Sequence, residues 1–378
     1  MLFVREAGLA PRVALDCRLL DWPGVGRYCI ELANALVTTA PDLRFFWLCA
    51  ARDCDKLPTA PNASPLVVGA RPFSIAEQIT VPYVLRRHSI DLLHAPTPTT
   101  LPVLAPRLVV TAHDLTYKRF PEFLPNPLGR AYYNAMTRLS VARARRIIAV
   151  SEFTRADLLA YWPQIAPRTV AILNGVSEAF VRTPSPAEIA HWRAEVALPE
   201  RYLLYIGTRK RHKNLLRLIE AYGALDAAQR DRFPLIMVAP PDPRYPEVDA
   251  TVRRLGIERH VLWRAGVPEA ALPVLYRLAH CVVVPSIYEG FGLPVAEAYA
   301  CGTPAVVARA GALPEIGGNA CVLVDPCDVG SIRTALARLI EDAVLHSKLK
   351  ERTRQEAARF DWNKSARHVA QVYREALQ

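Results

Sequence analysis

The sequence predicts an α/β protein made of two doubly wound, Rossmann-like domains. A chain of 378 residues is too long for one ordinary core and has 51% apolar residues, enough to fill two. Short β-branched runs alternate with helical patterns in both halves, which is the pattern of parallel sheets with crossover helices. Asn174-Gly175 and the prolines at 184 and 186 then interrupt regular structure between the halves. We expect domains at residues 1–180 and 201–358, joined by a linker at 181–200.

The first domain is predicted to open with a strand at residues 12–16. A turn at 24–26 and a helix over 28–36, with apolar positions at helical spacing, follow it. Further short apolar runs predict strands at 45–49, 66–68, 92–94, 107–112, 147–150 and 170–172.

The second domain repeats the alternation. A strand at 202–206 leads through Gly207 into a helix over 214–225. Strands are then predicted at 235–239, 261–263, 281–284, 305–308 and 321–324, with helices between them. Because ligands of such sheets bind outside the carboxyl ends of the strands, we expect the active site in the cleft between the domains.

Composition predicts a soluble, cytoplasmic protein. No apolar stretch approaches the roughly 18 residues that a membrane span requires, and residues 1–11 lack the basic-then-apolar pattern of a secretory signal. The eight cysteines include no C-x-x-C pair and lie mostly in apolar runs. We therefore expect them to be small buried hydrophobic residues, not a zinc site or a disulfide framework.

The net charge of +11 is spread along the chain and is accompanied by no recognised nucleic-acid-binding motif. An anionic small ligand or a phospholipid surface fits this distribution better. The densest basic patch indicates either a membrane-facing helix or a solvated helix face; it comprises Arg138, Arg143, Arg145 and Arg146.

Residues 286–297 place two carboxylates, Glu289 and Glu297, around a glycine-rich turn. The preceding apolar run predicts a strand and the following residues, 295–301, a short helix. Pro294 suits the first helical position, which leaves Glu289 outside the helix and Glu297 in its first turn. Free N–H groups and the positive helix end should then face a diphosphate, through the backbone of Gly290, Phe291, Gly292 and Leu293. The alternative is a polar loop followed by a favourably placed first-turn acid.

A cationic loop between the first strand and first helix of the second domain is a natural diphosphate site. Lys213, nearest the helix, is predicted to contact phosphate, with Arg209, Arg211 and His212 as helpers. The backbone of Gly207 and Thr208 opens the same loop. An exposed basic loop without a ligand is the alternative.

Two features of the first domain follow predicted strands. His113 ends the strand at 107–112 and could orient an acceptor hydroxyl or donate to a sugar hydroxyl. The loop Gly24-Val25-Gly26-Arg27-Tyr28 follows the first strand and offers backbone N–H groups, with Gly26 at its centre. The dinucleotide fingerprint G-x-G-x-x-G fails there because position 29 is Cys29.

The triplet Asp53-Cys54-Asp55 is a candidate metal site, because a D-x-D triplet after a strand holds divalent metal in one class of sugar transferases. Lys56 follows it, the triplet falls early in its domain, and the cationic loop already neutralises phosphate. We therefore predict no metal site.

Taken together, the motifs resemble the retaining glycosyltransferases of family four, which have the GT-B fold of two facing Rossmann-like domains. The likeness covers nearly the whole chain and is carried by motifs at 24–28, 113–114, 149–154, 174–176, 207–214, 289–297, 302–304 and 311–315. It implies a C-terminal helix that crosses back to the first domain, and residues 359–378 have suitable length and amphipathicity. Where many members have Arg before the lysine of the phosphate loop, this chain has His212.

The resemblance implies transfer of a glycosyl group from a nucleotide sugar with retained anomeric configuration and without a metal or other cofactor. Lys213 and the amides at 290–293 would stabilise the departing diphosphate. Glu289 would hold donor-sugar hydroxyls, Glu297 the ribose hydroxyls, and the backbone near Gly266-Val267 the base. His113 would lie near the sugar and acceptor.

The family further implies a hexosyl transfer to a lipid-linked saccharide in bacterial surface polysaccharide synthesis, at the inner face of the plasma membrane. Mannose from GDP-mannose is the donor that the resemblance favours. Two other functions stay open at this point. A sugar-nucleotide epimerase on the same fold would isomerise the donor, and a non-catalytic subunit would bind a nucleotide sugar without turnover.

Overall fold

The computed structural model describes residues 10–22, 24–74, 76–99, 106–124 and 126–378. Their backbone forms two compact units. The first unit spans Met1–Gly175 and takes back Asp361–Gln378, and the second spans Val176–Phe360.

The described residues of the first unit contain a parallel sheet of seven strands in the order β3-β2-β1-β4-β5-β6-β7. These are β1 Arg12–Asp16, β2 Arg44–Cys49, β3 Ala63–Val67, β4 Leu92–Ala95, β5 Arg107–Ala112, β6 Arg146–Ala149 and β7 Thr169–Ala171. The winding direction reverses between β1 and β4, so the carboxyl ends of these neighbours form the crevice where such sheets bind ligands.

The helices of the first unit, before its C-terminal return, are α1 Val25–Thr39, α2 Glu77–Arg87, α3 Thr116–Arg119, α4 Pro127–Arg143 and α5 Glu152–Tyr161. The side chains of β1 show which helices cover each face of the sheet. Val13 and Leu15 are buried in the core that includes α1, while Ala14 is buried in the core that includes α2 and α4. Strands that are covered on both faces have continuous apolar runs, and these runs allowed the strands to be predicted from the sequence.

The second unit contains a parallel sheet in the order β10-β9-β8-β11-β12-β13. Its strands are β8 Leu203–Ile206, β9 Leu235–Val238, β10 Val261–Trp263, β11 Cys281–Val284, β12 Ala305–Ala308 and β13 Cys321–Val324. Its helices are α6 Glu178–Val181, α7 Pro186–Glu195, α8 Leu215–Gly223, α9 Ala227–Arg232, α10 Glu247–Arg254, α11 Leu272–Leu278, α12 Leu293–Ala300, α13 Leu313–Gly317, α14 Val329–Glu341 and α15 Ala343–Ala357. Here the winding reverses between β8 and β11, which places the loops after these strands side by side.

The predicted C-terminal helix is confirmed as α16, Trp362–Leu377, which packs against α1 in the first unit. Short 3-10 helices complete the described secondary structure, at Ala51–Lys56, Pro121–Phe123, Pro163–Arg168, Arg211–Lys213 and Glu269–Ala271.

Every predicted strand is present, and six have the predicted bounds: β1, β5, β10, β11, β12 and β13. The predicted linker at 181–200 differs from the structure, because this segment belongs to the second unit and contains α7. Pro186 occupies the first turn of α7 and Ser185 caps it through a capping box with Glu188. Proline at that position starts a helix, so the predicted interruption of regular structure at Pro186 is wrong.

The cysteine prediction holds for five residues and is wrong for Cys327, which is exposed. Cys17, Cys29, Cys49, Cys281 and Cys301 are buried free thiols, and Cys54 and Cys321 are half-buried. Asp53 of the D-x-D triplet is buried and accepts a hydrogen bond of 2.7 Å from Lys56 Nζ, so its charge is already balanced within the 3-10 helix. In the part of the chain that the structure describes, no helix combines the length and the apolar character needed to cross a membrane.

Candidate active site

Glu289 lies in the turn between β11 and α12 and pairs with Lys213 from the loop after β8. The Lys213 Nζ atom lies 2.5 Å from Glu289 Oε1, and the two side chains are 20% and 14% exposed. Ser286, itself buried, donates from Oγ to the same oxygen over 2.8 Å. The site therefore joins the two motifs that the sequence singled out in the second domain.

Burial and the lysine charge act in opposite directions on the pKa of Glu289. Burial raises it, whereas the charge and hydrogen bond of Lys213, then the hydrogen bond of Ser286, lower it, and the net pKa is lowered. Glu289 is therefore an anion at neutral pH. An ionised carboxylate only accepts hydrogen bonds, which suits it to hold hydroxyl groups.

Helix α12 begins beside this ion pair, and no side chain caps its N-terminus. Its N-cap, Gly292, has φ 102° and provides no side-chain cap. A Cβ on Gly292 would come within 2.7 Å of Leu313 Cδ2. Pro294 occupies the second helical position, one later than predicted. Backbone N–H groups and the positive dipole end at such a start favour an anion.

Glu297 lies just beyond the first turn of α12 and not within it as predicted, because the helix begins at Leu293, two residues earlier than predicted. Its side chain is buried, and its Oε2 accepts a hydrogen bond of 2.8 Å from Tyr276 Oη on α11. Tyr276 thus fixes the carboxylate predicted to bind ribose. Tyrosine 276 was missed in the sequence because it lies in another helix, 21 positions away.

Within the cationic loop, Lys213 lies at the site, whereas Arg209 and Arg211 contact acidic residues of α10. Arg209 is buried, its guanidinium lies 3.9 Å from the centre of the Trp263 ring, and it pairs with Asp249 at 2.7 Å. Arg211 lies 3.9 Å from Glu247. Both therefore act towards α10, and the prediction that they assist Lys213 at phosphate has no support from these contacts.

His212 adds no positive charge at neutral pH. Its side chain is buried, and burial, reinforced by the charge of Lys213, lowers its pKa to about 4. A lowered histidine pKa means that the ring is neutral above that pH. Lys213 consequently carries the charge that the loop directs at Glu289.

Asn214 holds the two loops together, a role that the sequence did not reveal. Its Nδ2 donates to the Pro285 carbonyl at 3.0 Å and to the Pro326 carbonyl at 2.7 Å. The backbone N–H of Ile287 also donates to the His212 carbonyl at 2.8 Å. Asn214 adopts the left-handed region, with φ 61°, which asparagine tolerates better than most residues. Asparagine's tolerance of this backbone conformation was the feature of the sequence that could have indicated the role of Asn214.

Gly311 supports the backbone of Glu289. It has φ 61°, and a Cβ at this position would lie 2.7 Å from both Glu289 N and Glu289 O. The next residue, Ala312, donates its N–H to the Glu289 carbonyl at 2.9 Å. The glycine of the 311–315 motif is thus required by close approach as well as by backbone conformation.

Replacing Gly311 with alanine is expected to destabilise the fold and displace Glu289. The left-handed conformation alone costs about 1–2 kcal/mol, and the backbone contact adds to it. Gly256→Ala is the matched control, because Gly256 has φ 64° with nothing within 4 Å of its Cβ position. Thermal unfolding and turnover measure the two effects. Equal losses in both variants would contradict a specific role for the contact with Glu289.

Loops at the same sheet edge carry the remaining predicted residues of the second unit. Gly207 follows β8, and its N–H donates to the Val238 carbonyl at 3.0 Å, while the Thr208 carbonyl accepts from Tyr205 Oη at 2.8 Å. Gly266, with φ 69°, and the half-buried Val267 follow β10. These positions agree with a ligand at the carboxyl edge, and contact with a base stays a prediction.

His113 directly follows β5 in the first unit and is neutral at pH 7. Burial lowers its pKa to about 4, although a hydrogen bond to the Pro96 backbone opposes the shift. Its Nε2 is buried and has no hydrogen-bond partner among the described residues. The Pro96 carbonyl can only accept, so Nδ1 carries the proton and Nε2 a lone pair. His113 is therefore suited to accept from a hydroxyl, and donation from Nε2 is disfavoured.

Tyr28, the last residue of the 24–28 motif, packs against His113. Its ring meets His113 edge-on, with centroids 4.8 Å apart. Its Oη lies 2.9 Å from Thr111 Oγ1, which lies 2.7 Å from His94 Nε2, and His94 Nδ1 lies 2.6 Å from Tyr373 Oη on α16. The returning helix thus supports His113 through a buried chain of hydrogen bonds.

Gly26 has a different role from the predicted one. It lies in the first turn of α1, which begins at Val25, and its N–H donates to the Trp22 carbonyl at 2.8 Å. A Cβ would lie 2.0 Å from the Leu20 carbonyl oxygen. Gly26 therefore permits close packing, and its N–H is already used. His113 and Glu289 belong to different units, and the predicted cleft between them stays a prediction.

Each half of the chain matches a model of a known protein family. A family model described as Glycosyltransferase Family 4 matches residues 22–180, and one described as Glycosyl transferases group 1 matches residues 188–357. The O-antigen chain mannosyltransferase B of Escherichia coli is 29% identical over 371 residues, which cover 93% of this chain and 96% of that protein.

Solved structures share the fold at low sequence identity. Sucrose-phosphate synthase from Thermosynechococcus elongatus superposes with a TM-score of 0.78 at 21% identity, covering 96% of this chain and 98% of that one. HepE from Anabaena, solved in complex with UDP and glucose, has a TM-score of 0.77 at 20% identity, covering 96% and 99%.

Proposed function

Because the chain belongs to the group 1 glycosyl transferases of glycosyltransferase family four and shares their GT-B fold, we propose that it moves a mannosyl group from GDP-mannose to a saccharide with retention of configuration. The observation that carries the proposal is the ion pair between Lys213 and Glu289 beside the open start of α12. The mannosyl donor is supported by the name of the relative that matches over nearly the whole chain.

The pair provides the two charges that this reaction needs. Negative charge develops on the departing diphosphate, and Lys213 with the positive end of α12 would stabilise it there. Glu289 would accept hydrogen bonds from hydroxyls of the migrating sugar. These fixed charges would replace a divalent metal at the diphosphate, so we propose a reaction without a resident metal or cofactor. Glu297, held by Tyr276, would bind the ribose hydroxyls.

His113 would act on the acceptor side as a neutral ring. Its Nε2 lone pair can accept a hydrogen bond from a hydroxyl of the sugar or acceptor and so orient that hydroxyl. Tyr28 and the Pro96 carbonyl fix the ring plane for this purpose.

We propose a lipid-linked saccharide acceptor in surface polysaccharide synthesis, used by a cytoplasmic protein at the inner face of the plasma membrane. The O-antigen relative supports this assignment.

A panel of GDP- and UDP-linked sugars tests the donor and the reaction class. We expect the fastest consumption with GDP-mannose, at a rate that a chelator leaves unchanged, and slow hydrolysis to GDP when acceptor is omitted. Faster use of a UDP sugar would contradict the donor, and loss of activity with chelator would contradict the metal-independent reaction. An isomerised donor would indicate an epimerase, and binding without turnover a non-catalytic subunit.

A further inference from the structure

Helices α2 and α4 cover the same face of the first unit's sheet and leave their outer sides exposed. Val81 and Leu85 of α2 lie in one core cluster with Val141 of α4. A hydrogen bond of 3.4 Å from Tyr132 Oη to Glu77 Oε1 also joins the two helices. Their outer sides therefore form one continuous surface.

Large apolar side chains and arginines share this surface. On α2, Ile79 is 74% exposed and Tyr83 60%, and the stripe continues through the exposed Arg86 and Arg87. The spacing of three and four residues places them on one helix side. On α4, Leu128 is 78% exposed. The exposed positions after it are alanines, arginines and one asparagine: Ala131, Asn134, Ala135, Arg138, Ala142 and Arg143.

The positive charge on this surface is not balanced by exposed acids of the same helices. In residues 76–87 and 126–146, all described, the one acidic residue is Glu77. Glu77 is fully buried and pairs with Arg18 at 3.1 Å. Of the arginines predicted as a basic patch, Arg146 pairs with Glu375 at 3.1 Å, while Arg138, Arg143 and Arg145 are exposed.

The most exposed apolar side chains and three of the arginines occupy opposite ends of the helices. Ile79 and Leu128 lie in the first turns of α2 and α4, and Arg86, Arg87 and Arg143 in the last turns. Crossover helices run antiparallel to their parallel strands, so the apolar ends lie towards the carboxyl edge of the sheet. His113 follows β5 at that same edge.

We propose that the α2–α4 surface, defined by Ile79, Tyr83, Arg86, Arg87, Leu128 and Arg138, binds an anionic lipid bilayer. Exposed apolar side chains enter the headgroup region while the arginines pair with lipid phosphates. Exposed isoleucine, tyrosine and leucine side chains beside arginines, with no exposed acid on either helix, are the composition of a surface that lies on an anionic bilayer. The proposal deepens the proposed function, because it brings the edge that carries His113 towards a lipid-linked acceptor.

Sedimentation with vesicles tests this surface on the full chain. We expect binding to vesicles of phosphatidylglycerol and phosphatidylcholine in equal parts, little binding to pure phosphatidylcholine, and release by added salt. Arg86→Ala with Arg87→Ala should weaken binding about fivefold for each arginine. Ile79→Ser with Tyr83→Ser should weaken it as well, without lowering the unfolding temperature.

Matched controls lie on the second unit. Arg333→Ala with Arg354→Ala removes two exposed arginines, and Val344→Ser alters a valine that is 80% exposed. Equal binding by control and test variants, or no binding by the unaltered chain, would overturn the proposal. A dimer that Ile79→Ser with Tyr83→Ser dissociates would assign the surface to a second copy and also overturn it. Because the assay contains neither donor nor acceptor, its outcome is independent of the donor panel.

Discussion

Replacing Lys213 with methionine is expected to lower kcat by about 10²–10³-fold, the usual effect of removing one group that stabilises developing charge. Lys213 is the loop residue whose charge reaches Glu289, since Arg209 pairs with Asp249 and His212 is neutral. Methionine keeps the length and apolar part of the side chain and removes the charge. Donor binding should weaken too, because the diphosphate loses its cation.

The pH dependence gives this prediction a second readout. Lys213 lowers the pKa of Glu289 against the opposing effect of burial, so the ionised form persists into acid. Without the lysine charge, burial acts with less opposition and the pKa rises. Activity that needs the carboxylate is lost as pH falls through that pKa, so the acid limb of the rate profile should move to higher pH in Lys213→Met.

Two controls separate charge from structure. Lys213→Arg retains a cation and should retain part of the rate, and Lys348→Met removes an exposed lysine on α15. An unchanged acid limb in Lys213→Met, with the fold intact, would contradict the assigned coupling between the two side chains.

The sequence predicted the framework of this site well, because its signals are local. Buried parallel strands appear as continuous apolar runs, so β11 and β12 could be placed to the residue, and the turn around Glu289 follows β11 directly. Glycines and charged residues after such strands then indicated where a ligand would bind. The prediction of a break at Pro186 is wrong because proline interrupts a helix in its interior but begins one when a capping residue such as Ser185 precedes it.

Pairings between distant residues could not be predicted in the same way. Arg209 and Lys213 are equivalent cations in the sequence, and only the fold directs the first to Asp249 and the second to Glu289. The neutrality of His212 depends on its burial in the folded chain. Asn214 reaches carbonyl groups 71 and 112 positions away. Local patterns specify which residues lie at an edge, whereas tertiary packing decides their partners.

Replacing Glu289 with glutamine should lower kcat by about 10²-fold or more while leaving donor binding as tight as before or tighter. Glutamine matches the shape of glutamate but removes its charge, and its amide group cannot accept on both terminal atoms. The sugar hydroxyls therefore lose acceptors during transfer. Lys213, freed from the ion pair at 2.5 Å, becomes fully available to the diphosphate.

The two variants thus shift donor affinity in opposite directions while both lower turnover, and this contrast separates a catalytic pair from a structural one. If the pair only stabilised the fold, either change would cost stability, by about 3–5 kcal/mol for a fully buried partner left alone, and donor affinity would fall in both. GDP and GDP-mannose binding by calorimetry, with Glu351→Gln on the exposed side of α15 as control, measures the contrast. The double variant completes a cycle: losses of kcat that are less than multiplicative show that Lys213 and Glu289 act as one unit, and independent losses would assign them separate roles.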